Sequence, residues 1–486
     1  MRPPIGMRSN RRPHETRKGL LWLSAALLSL QAPAPAQDRP VETRWLGRIL
    51  DEVTLRNPES RLIHDVIFSD GGEVYAYVGC TPGGMVPVFN DELGPTCESV
   101  DDPVLDSGGE RVVFRALLSS EEGAEKWALY ENGEKGPERP WIGPLGMSPD
   151  GTLAFWESSK QGRRRHRIVQ RSAVALHYGD RSTARFSGME LQLGYSAPRV
   201  GQFAGPRFEP GLNAFICLVS RGLSEGALIA PLGRKHQLLF PPWQAESEQG
   251  WRVQDIVVSP DGEQIAQTAS QRRSFDGTDI APFQPTLNSQ LSPPVIRIGE
   301  QVVGVEFEGV DSPTFTPDGS SLAFRFRRGE KMGISSTSDW STEADWSVVS
   351  PPKFTLDGEA LIFVGYQGRS FFTPSFGPRL SDSDTGAILG SGQIYSVARS
   401  GKPSPMSEEF QKIEKLTWSP DGSKLGFAAF RREEPCQGRW CVFAGETHSE
   451  PFDFVGPLKF SADSKLLEFG ARNGRDLYWV RLRTDR

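Results

Sequence analysis

The stretch Ser148-Pro149-Asp150-Gly151, followed at once by Thr152-Leu153-Ala154-Phe155, decides how this chain is read. Proline fixes φ near the value required at the second position of a type I turn. Asp150 can bond the local backbone at the third position, and Gly151 accepts the left-handed conformation at the fourth. A type I turn followed by a left-handed residue closes a β-hairpin. The stretch recurs as Ser259-Pro260-Asp261-Gly262, Thr316-Pro317-Asp318-Gly319 and Ser419-Pro420-Asp421-Gly422, with a near copy at Thr355-Leu356-Asp357-Gly358. Worn copies are Ser69-Asp70-Gly71, Asp106-Ser107-Gly108-Gly109, Glu209-Pro210-Gly211 and Ser461-Ala462-Asp463-Ser464.

The flanks of the turn are short apolar runs. Asp255-Ile256-Val257-Val258 and Lys415-Leu416-Thr417-Trp418 precede it; Ser321-Leu322-Ala323-Phe324 and Lys424-Leu425-Gly426-Phe427 follow it. These are strands in length and composition, too short for helices. Neighbouring turns lie 37 to 64 residues apart. A period of that size built from short strands predicts an all-β propeller, with four strands in each repeat. Nine units follow, in a single ring of eight or nine four-stranded blades. Residues 63–486 form the ring, and residues 37–62 precede it. The last repeat ends one strand short, at Tyr478-Trp479-Val480-Arg481-Leu482. A ring must close to remove its sheet edges, so residues 45–55 are expected to supply the missing outer strand. The longer intervals hold insertions near 160–205, 233–250, 270–293 and 366–393. Among them Ser375 to Ser391 reads as a long exposed loop, of the kind that carries binding in such folds.

A larger unit is visible upstream of the turns: a strand, a Gly/Glu-rich bend and a second strand. Examples are Trp127-Ala128-Leu129-Tyr130-Glu131-Asn132-Gly133, Val295-Ile296-Arg297-Ile298-Gly299-Glu300 and Cys441-Val442-Phe443-Ala444-Gly445-Glu446. Over most of 63–480 this unit resembles the TolB-like, WD-type β-propeller repeat of bacterial exported proteins. The resemblance implies a fold, and a family role as a periplasmic scaffold in cell-envelope assemblies. The separate N-terminal α/β domain of that family has no counterpart here, and the repeat motif transfers no partner.

The N-terminus reads as a signal peptide over residues 1–36. Arg2, Arg8, Arg11, Arg12, Arg17 and Lys18 form the basic region, Gly19 to Leu30 the apolar core, and Ala34-Pro35-Ala36 the cleavage pattern before Gln37. The apolar core is too short to span a bilayer comfortably, and no other stretch qualifies. The whole chain carries −6, and removal of residues 1–36 leaves about −11. Such an acidic chain argues against nucleic acid as a partner. The one basic cluster, Arg163-Arg164-Arg165-His166-Arg167, reads as a solvated hairpin tip.

Five cysteines occur. Export permits disulfides, and two pairings are expected to be feasible: Cys436 with Cys441, and Cys80 with Cys97. Cys217, in the apolar run Ala214-Phe215-Ile216-Cys217-Leu218-Val219, reads as a buried thiol. Six histidines, none paired at ligand spacing, suggest no metal site. No phosphate loop or dinucleotide fingerprint is present, and no cofactor is expected. Gly222-Leu223-Ser224-Glu225-Gly226 matches a nucleophile pattern, but its context is a β-hairpin rather than a strand-to-helix elbow. No residue is assigned as catalytic. The favoured expectation is a monomeric, periplasmic or secreted, non-enzymatic propeller that binds a protein, peptide or envelope component. The alternative is a hydrolase or lyase acting on glycan or peptide, with its active site in the central funnel.

Overall fold

The fold is known from a computed structural model. It describes residues 41–484 apart from 52, 56–65, 102, 120–125, 159–162, 166–167, 171–173, 184–188, 191–205, 210–211, 222–223, 234, 236, 240–250, 272–292, 339, 344, 371–387 and 399–400. Among the described residues the helical content is a single three-residue turn, Asp70–Gly72. The rest is strand and turn, arranged as nine blades.

Each blade runs outward from an inner strand at the ring axis. Blade 1 is Thr54–Leu55 with Ile67–Phe68, then Tyr75–Thr81, Gly84–Phe89 and Glu92–Leu93; blade 2 is Ser99–Val100 with Val104–Leu105, then Val112–Ser119, Lys126–Glu131 and Glu134–Lys135. Blade 3 comprises Trp141–Met147, Leu153–Ser158, Val174–Tyr178 and Arg181–Ser182. Blade 4 comprises Met189–Glu190 with Arg207–Glu209, then Ala214–Arg221, Ser224–Pro231 and Gln237–Leu239. Blade 5 is Trp251–Val258, Ile265–Gln271, Val295–Ile298 and Gln301–Val303. Blade 6 is Gly309–Phe315, Leu322–Arg328 and Lys331–Ser336, its fourth place held by Thr342 and Trp346, which bond Ile334 and Met332. Blade 7 is Val348–Val349 with Lys353–Phe354, then Ala360–Ser370, Ile388–Ala398 and Ser404–Pro405; blade 8 is Lys412–Trp418, Leu425–Arg431, Arg439–Ala444 and Thr447–His448.

Blade 9 has Phe454–Val455 with Lys459–Phe460, then Leu466–Asn473 and Asp476–Arg483, and its outer strand is Val41–Arg48. The N-terminal strand therefore closes the ring, antiparallel to Asp476–Arg483, from Val41 opposite Leu482 to Arg48 opposite Asp476. The closing strand lies earlier than the expected 45–55. Thr54–Leu55 instead pairs with Cys80 and Gly79 in blade 1. Between the two, Arg475 fixes the connection: it donates to the carbonyls of Ile49, Leu50 and Val53. Every turn thus owns a complete blade, which settles the count at nine.

The expected exposed loop of blade 7 is shorter than the sequence suggests. Its two long strands pair without a break as far as Ser370 opposite Ile388, so 366–370 and 388–393 are ladder. Residues 371–387 lie outside the described residues. The basic cluster falls on a separate hairpin of Arg163–Arg165 with Ile168–Gln170.

The core is layered. Among the described residues, seven buried apolar clusters each span two neighbouring blades. Between blades 6 and 7, for example, Trp340 and Trp346 pack against Phe354 and Phe363, edge to face. Each buried aromatic contributes about 1.5–3 kcal/mol by its removal from water.

Candidate functional site at the ring axis

The repeated turns form a continuous annulus on one face. In the eight turns described at their closing residue, that residue is left-handed: Gly72, Gly109, Gly151, Gly262, Gly319, Gly358, Gly422 and Ser464. Its N–H donates to the carbonyl of the first turn residue at 2.8–3.2 Å. The Asp reads the turn from inside. Thr316 donates its hydroxyl to Asp318 at 2.5 Å, Thr355 to Asp357 at 2.6 Å and Ser419 to Asp421 at 2.6 Å. The same carboxylates accept backbone N–H groups two residues on, at 3.0 Å in each case. Pro149, Pro260, Pro317 and Pro420 occupy the second position in the four full copies. Pro210 and Gly211 lie outside the described residues.

Several neighbouring turns also touch. Asp70 donates its N–H to Ser107 (3.0 Å), and Ser107 to Pro149 (3.3 Å). The Gln264 side chain reaches Gly319 (3.4 Å), and Asp421 donates its N–H to the Ser464 hydroxyl (3.2 Å). A Cβ on Gly319 would sit 3.4 Å from both Ser259 and Asp261 of the preceding turn. The motif is therefore an inter-blade joint as well as a hairpin.

Below this annulus the inner strands alternate with period two. In blades 4, 6, 7 and 9 the residue just before the turn (Phe208, Phe315, Phe354 and Phe460) packs into a core layer. The residue before that points to the following blade and is polar. Arg207 donates to the carbonyl of Ile256 (3.0 Å), Thr314 to Pro352 (3.1 Å) and Lys353 to Leu416 (2.8 Å), while Lys459 meets the carboxylate of Asp70. Lys415, at the bulge of blade 8, reaches Val455. An inner strand is a sheet edge, and its outward carbonyls need donors; the preceding blade supplies them.

Two ion pairs, one buried and one half-buried, do the same. Arg325, on the second strand of blade 6, grips Asp311 with two N–H groups at 2.5 and 2.7 Å and donates a third to Val349 of blade 7 at 2.7 Å. Its side chain is 1% exposed. Arg115 of blade 2 repeats the pattern with Asp101 and the carbonyl of Ile142 in blade 3. Sequence reading missed all of these side chains. Both Arg–Asp pairs are 14 residues apart, and that recurring spacing was the available signal.

Asp255 and Lys412 are also buried on inner strands, in blades 5 and 8, and further ionisable groups lie away from them. Arg139 and His177 share Oε2 of Glu157, His177 at 3.0 Å, between the outer part of blade 2 and the second and third strands of blade 3. His448 is exposed, with Nδ1 3.0 Å from the Ser449 carbonyl. Among the described residues, no three His, Cys, Asp or Glu gather as metal ligands would. Ser224 opens the third strand of blade 4 opposite Arg221, the hairpin context expected for it; Gly222, Leu223 and His236 lie outside the described residues.

The five cysteines are free thiols in this structure. Cys80 and Cys97 flank Met85 on either side, each paired with it. Two strand spacings, about 10 Å, separate them, beyond the roughly 7 Å Cα limit for a disulfide. The expected pairing of these two is therefore corrected. Cys217 is buried between blades 3 and 4, and burial pushes its thiol up.

No family model matches the chain, and no curated protein matches it. Among solved structures it is similar to a eukaryotic initiation factor, at TM-score 0.41 and 13% identity over 83% of this chain and 92% of that one. It is similar to an oligogalacturonate lyase in complex with manganese at TM-score 0.37 and 13% identity, over 80% and 96%. TolB from Acinetobacter baumannii gives TM-score 0.30 and 16% identity, over 71% and 80%. The resemblance to TolB-like proteins stands at the level of the repeat, and the propeller assignment rests on the blade topology.

Proposed function

We propose that this chain is an exported, non-enzymatic propeller, monomeric, that holds a protein, peptide or envelope component on one face. The supporting observation is the use made of polar side chains on the inner and second strands. Arg115, Arg207, Thr314, Arg325, Lys353 and Lys415 each end on a backbone carbonyl of the following blade. They serve as frame rather than as acid, base or nucleophile, which must be free to exchange a proton with a substrate. A rigid frame with long insertions on its faces suits recognition. In this reading residues 1–36 are a signal peptide, and the exported protein begins at Gln37.

The test is affinity capture with residues 37–486 from the organism's own envelope extract, followed by mass spectrometry. A saturable protein or glycan partner, lost when 371–387 is deleted, supports the reading. No retained partner, together with turnover in a screen of glycans and peptides, would overturn it in favour of a funnel enzyme. N-terminal sequencing of the exported protein tests the processing site separately.

A further inference from the structure

The second and third strands of blade 8 are joined by a tight loop. Cys436 and Gln437 both donate to the carbonyl of Glu433 (3.1 and 2.9 Å), Gly438 to Arg431 (2.8 Å) and Arg439 to Cys436 (3.0 Å). Gln437 and Gly438 are both left-handed, with φ 52° and 76°. That reversal returns the chain over its own stem, so Cys436 is folded inward instead of projecting from the tip. Cys441, two residues into the next strand, lies opposite Ala429 in the ladder. The Cys436 sulfur is 3.8 Å from the Ala429 carbonyl. Both cysteines therefore meet at one residue, Ala429, and both are closed off from solvent.

We propose that Cys436 and Cys441 are an oxidisable pair that closes into a disulfide and latches this loop of blade 8. A thiol placed against a second thiol differs from the other three cysteines. Cys217 is solitary in a core layer, and Cys80 and Cys97 have a strand between them. The reaction needs an oxidant, and a disulfide-bearing donor such as oxidised glutathione suffices. The Cys436 thiolate attacks one donor sulfur, and one glutathione thiolate leaves. The Cys441 thiolate then attacks Cys436 in the mixed disulfide, and the second glutathione leaves. Two protein thiols lose two protons and two electrons; the donor disulfide gains them. Cys436 is the attacking group, because it sits on the turn whose opening exposes it, whereas Cys441 is held in the ladder opposite Ala429. Both sulfurs are covered, so exchange waits on opening of the 433–438 turn.

The inference is independent of export, because the oxidant is added. Purified full chain is equilibrated in glutathione buffers, quenched with acid, alkylated after denaturation and digested with trypsin. Cleavage after Arg439 parts the two cysteines, so a bridge joins peptides 433–439 and 440–459 until reductant is added. The expected result is that linked species in oxidising buffer, absent from Cys436→Ser and Cys441→Ser and retained in Cys80→Ser. A raised denaturation midpoint of the oxidised wild type over the reduced wild type is expected too, and needs no variant to fold. Separately alkylated peptides after full oxidation, or a midpoint lowered by oxidation, would overturn the proposal.

Discussion

At the scale of single residues, the turn carboxylates tie stability to pH. Asp318 is pushed down to about 2, first by the Thr316 hydroxyl and then by the Ser320 N–H and hydroxyl. Asp150, Asp261, Asp357, Asp421 and Asp463 are lowered too, in each case mainly by the Ser or Thr two residues before. A carboxyl that ionises more readily folded than unfolded, where its pKa is about 3.9, stabilises fully above that value and ceases to as pH falls through the folded value. The urea midpoint should therefore drop between about pH 4 and pH 2, and Asp318→Asn should be less sensitive to acid across that window. Equal acid sensitivity in the two proteins would contradict this. Arg325 makes a different demand. Removing it alone strands Asp311 in a buried site, so Arg325→Met should cost about 3–5 kcal/mol, and adding Asp311→Leu should restore much of that. Equilibrium denaturation of the single and double variants measures both. The turns were readable in sequence because Pro, Asp and Gly act on their own neighbours. Arg325 was not, because its partners are 14 and 24 residues away on other strands. Within Leu322-Ala323-Phe324-Arg325-Phe326 it passes for the outward member of an alternating strand.

At the scale of elements, the closing strand carries the most consequence. Val41–Arg48 covers the edge of Asp476–Arg483, which would otherwise present unpaired backbone to solvent. Deleting residues 41–48 should lower the melting midpoint sharply and produce concentration-dependent oligomers on size-exclusion chromatography; an unchanged midpoint and a monomeric profile would show that closure contributes little. That an N-terminal strand was needed followed from the last repeat ending one strand short. Its position did not: the strand begins at Val41, Trp45 is 59% exposed on it, and the ladder is bulged between Trp45 and Gly47. The strands of blade 7 were underestimated for a related reason. Gly365, Gly368, Gly390 and Gly392 all sit in paired strands, and at two of them the large ring of a neighbour fills the space: Trp346 at Gly365 and Tyr366 at Gly392.

At the scale of the whole molecule, the core layers are shared property. Each is built from two blades; blade 8 shares one with blade 7 and another with blade 9, so it cannot melt without opening both of its neighbours' faces. A linear repeat array can fray from its ends; a closed ring has none. Weakening blade 6 through Arg325→Met should accordingly shift one common transition, with tryptophan fluorescence and far-UV circular dichroism changing together. Separate transitions by the two probes would show that the blades unfold independently. The side-chain links described above run from one blade to the next in chain order, from Arg115 of blade 2 through Lys459 of blade 9 back to Asp70 of blade 1.

The seam of the ring also has a mechanical character. Val41 faces Leu482, and Arg48 faces Asp476. Tension applied between Val41 and Leu482 therefore loads the rungs one after another, as a zip is opened, instead of shearing the ladder all at once. The closed hoop should part at low force when drawn by these two points, and should hold when drawn across any blade away from the seam.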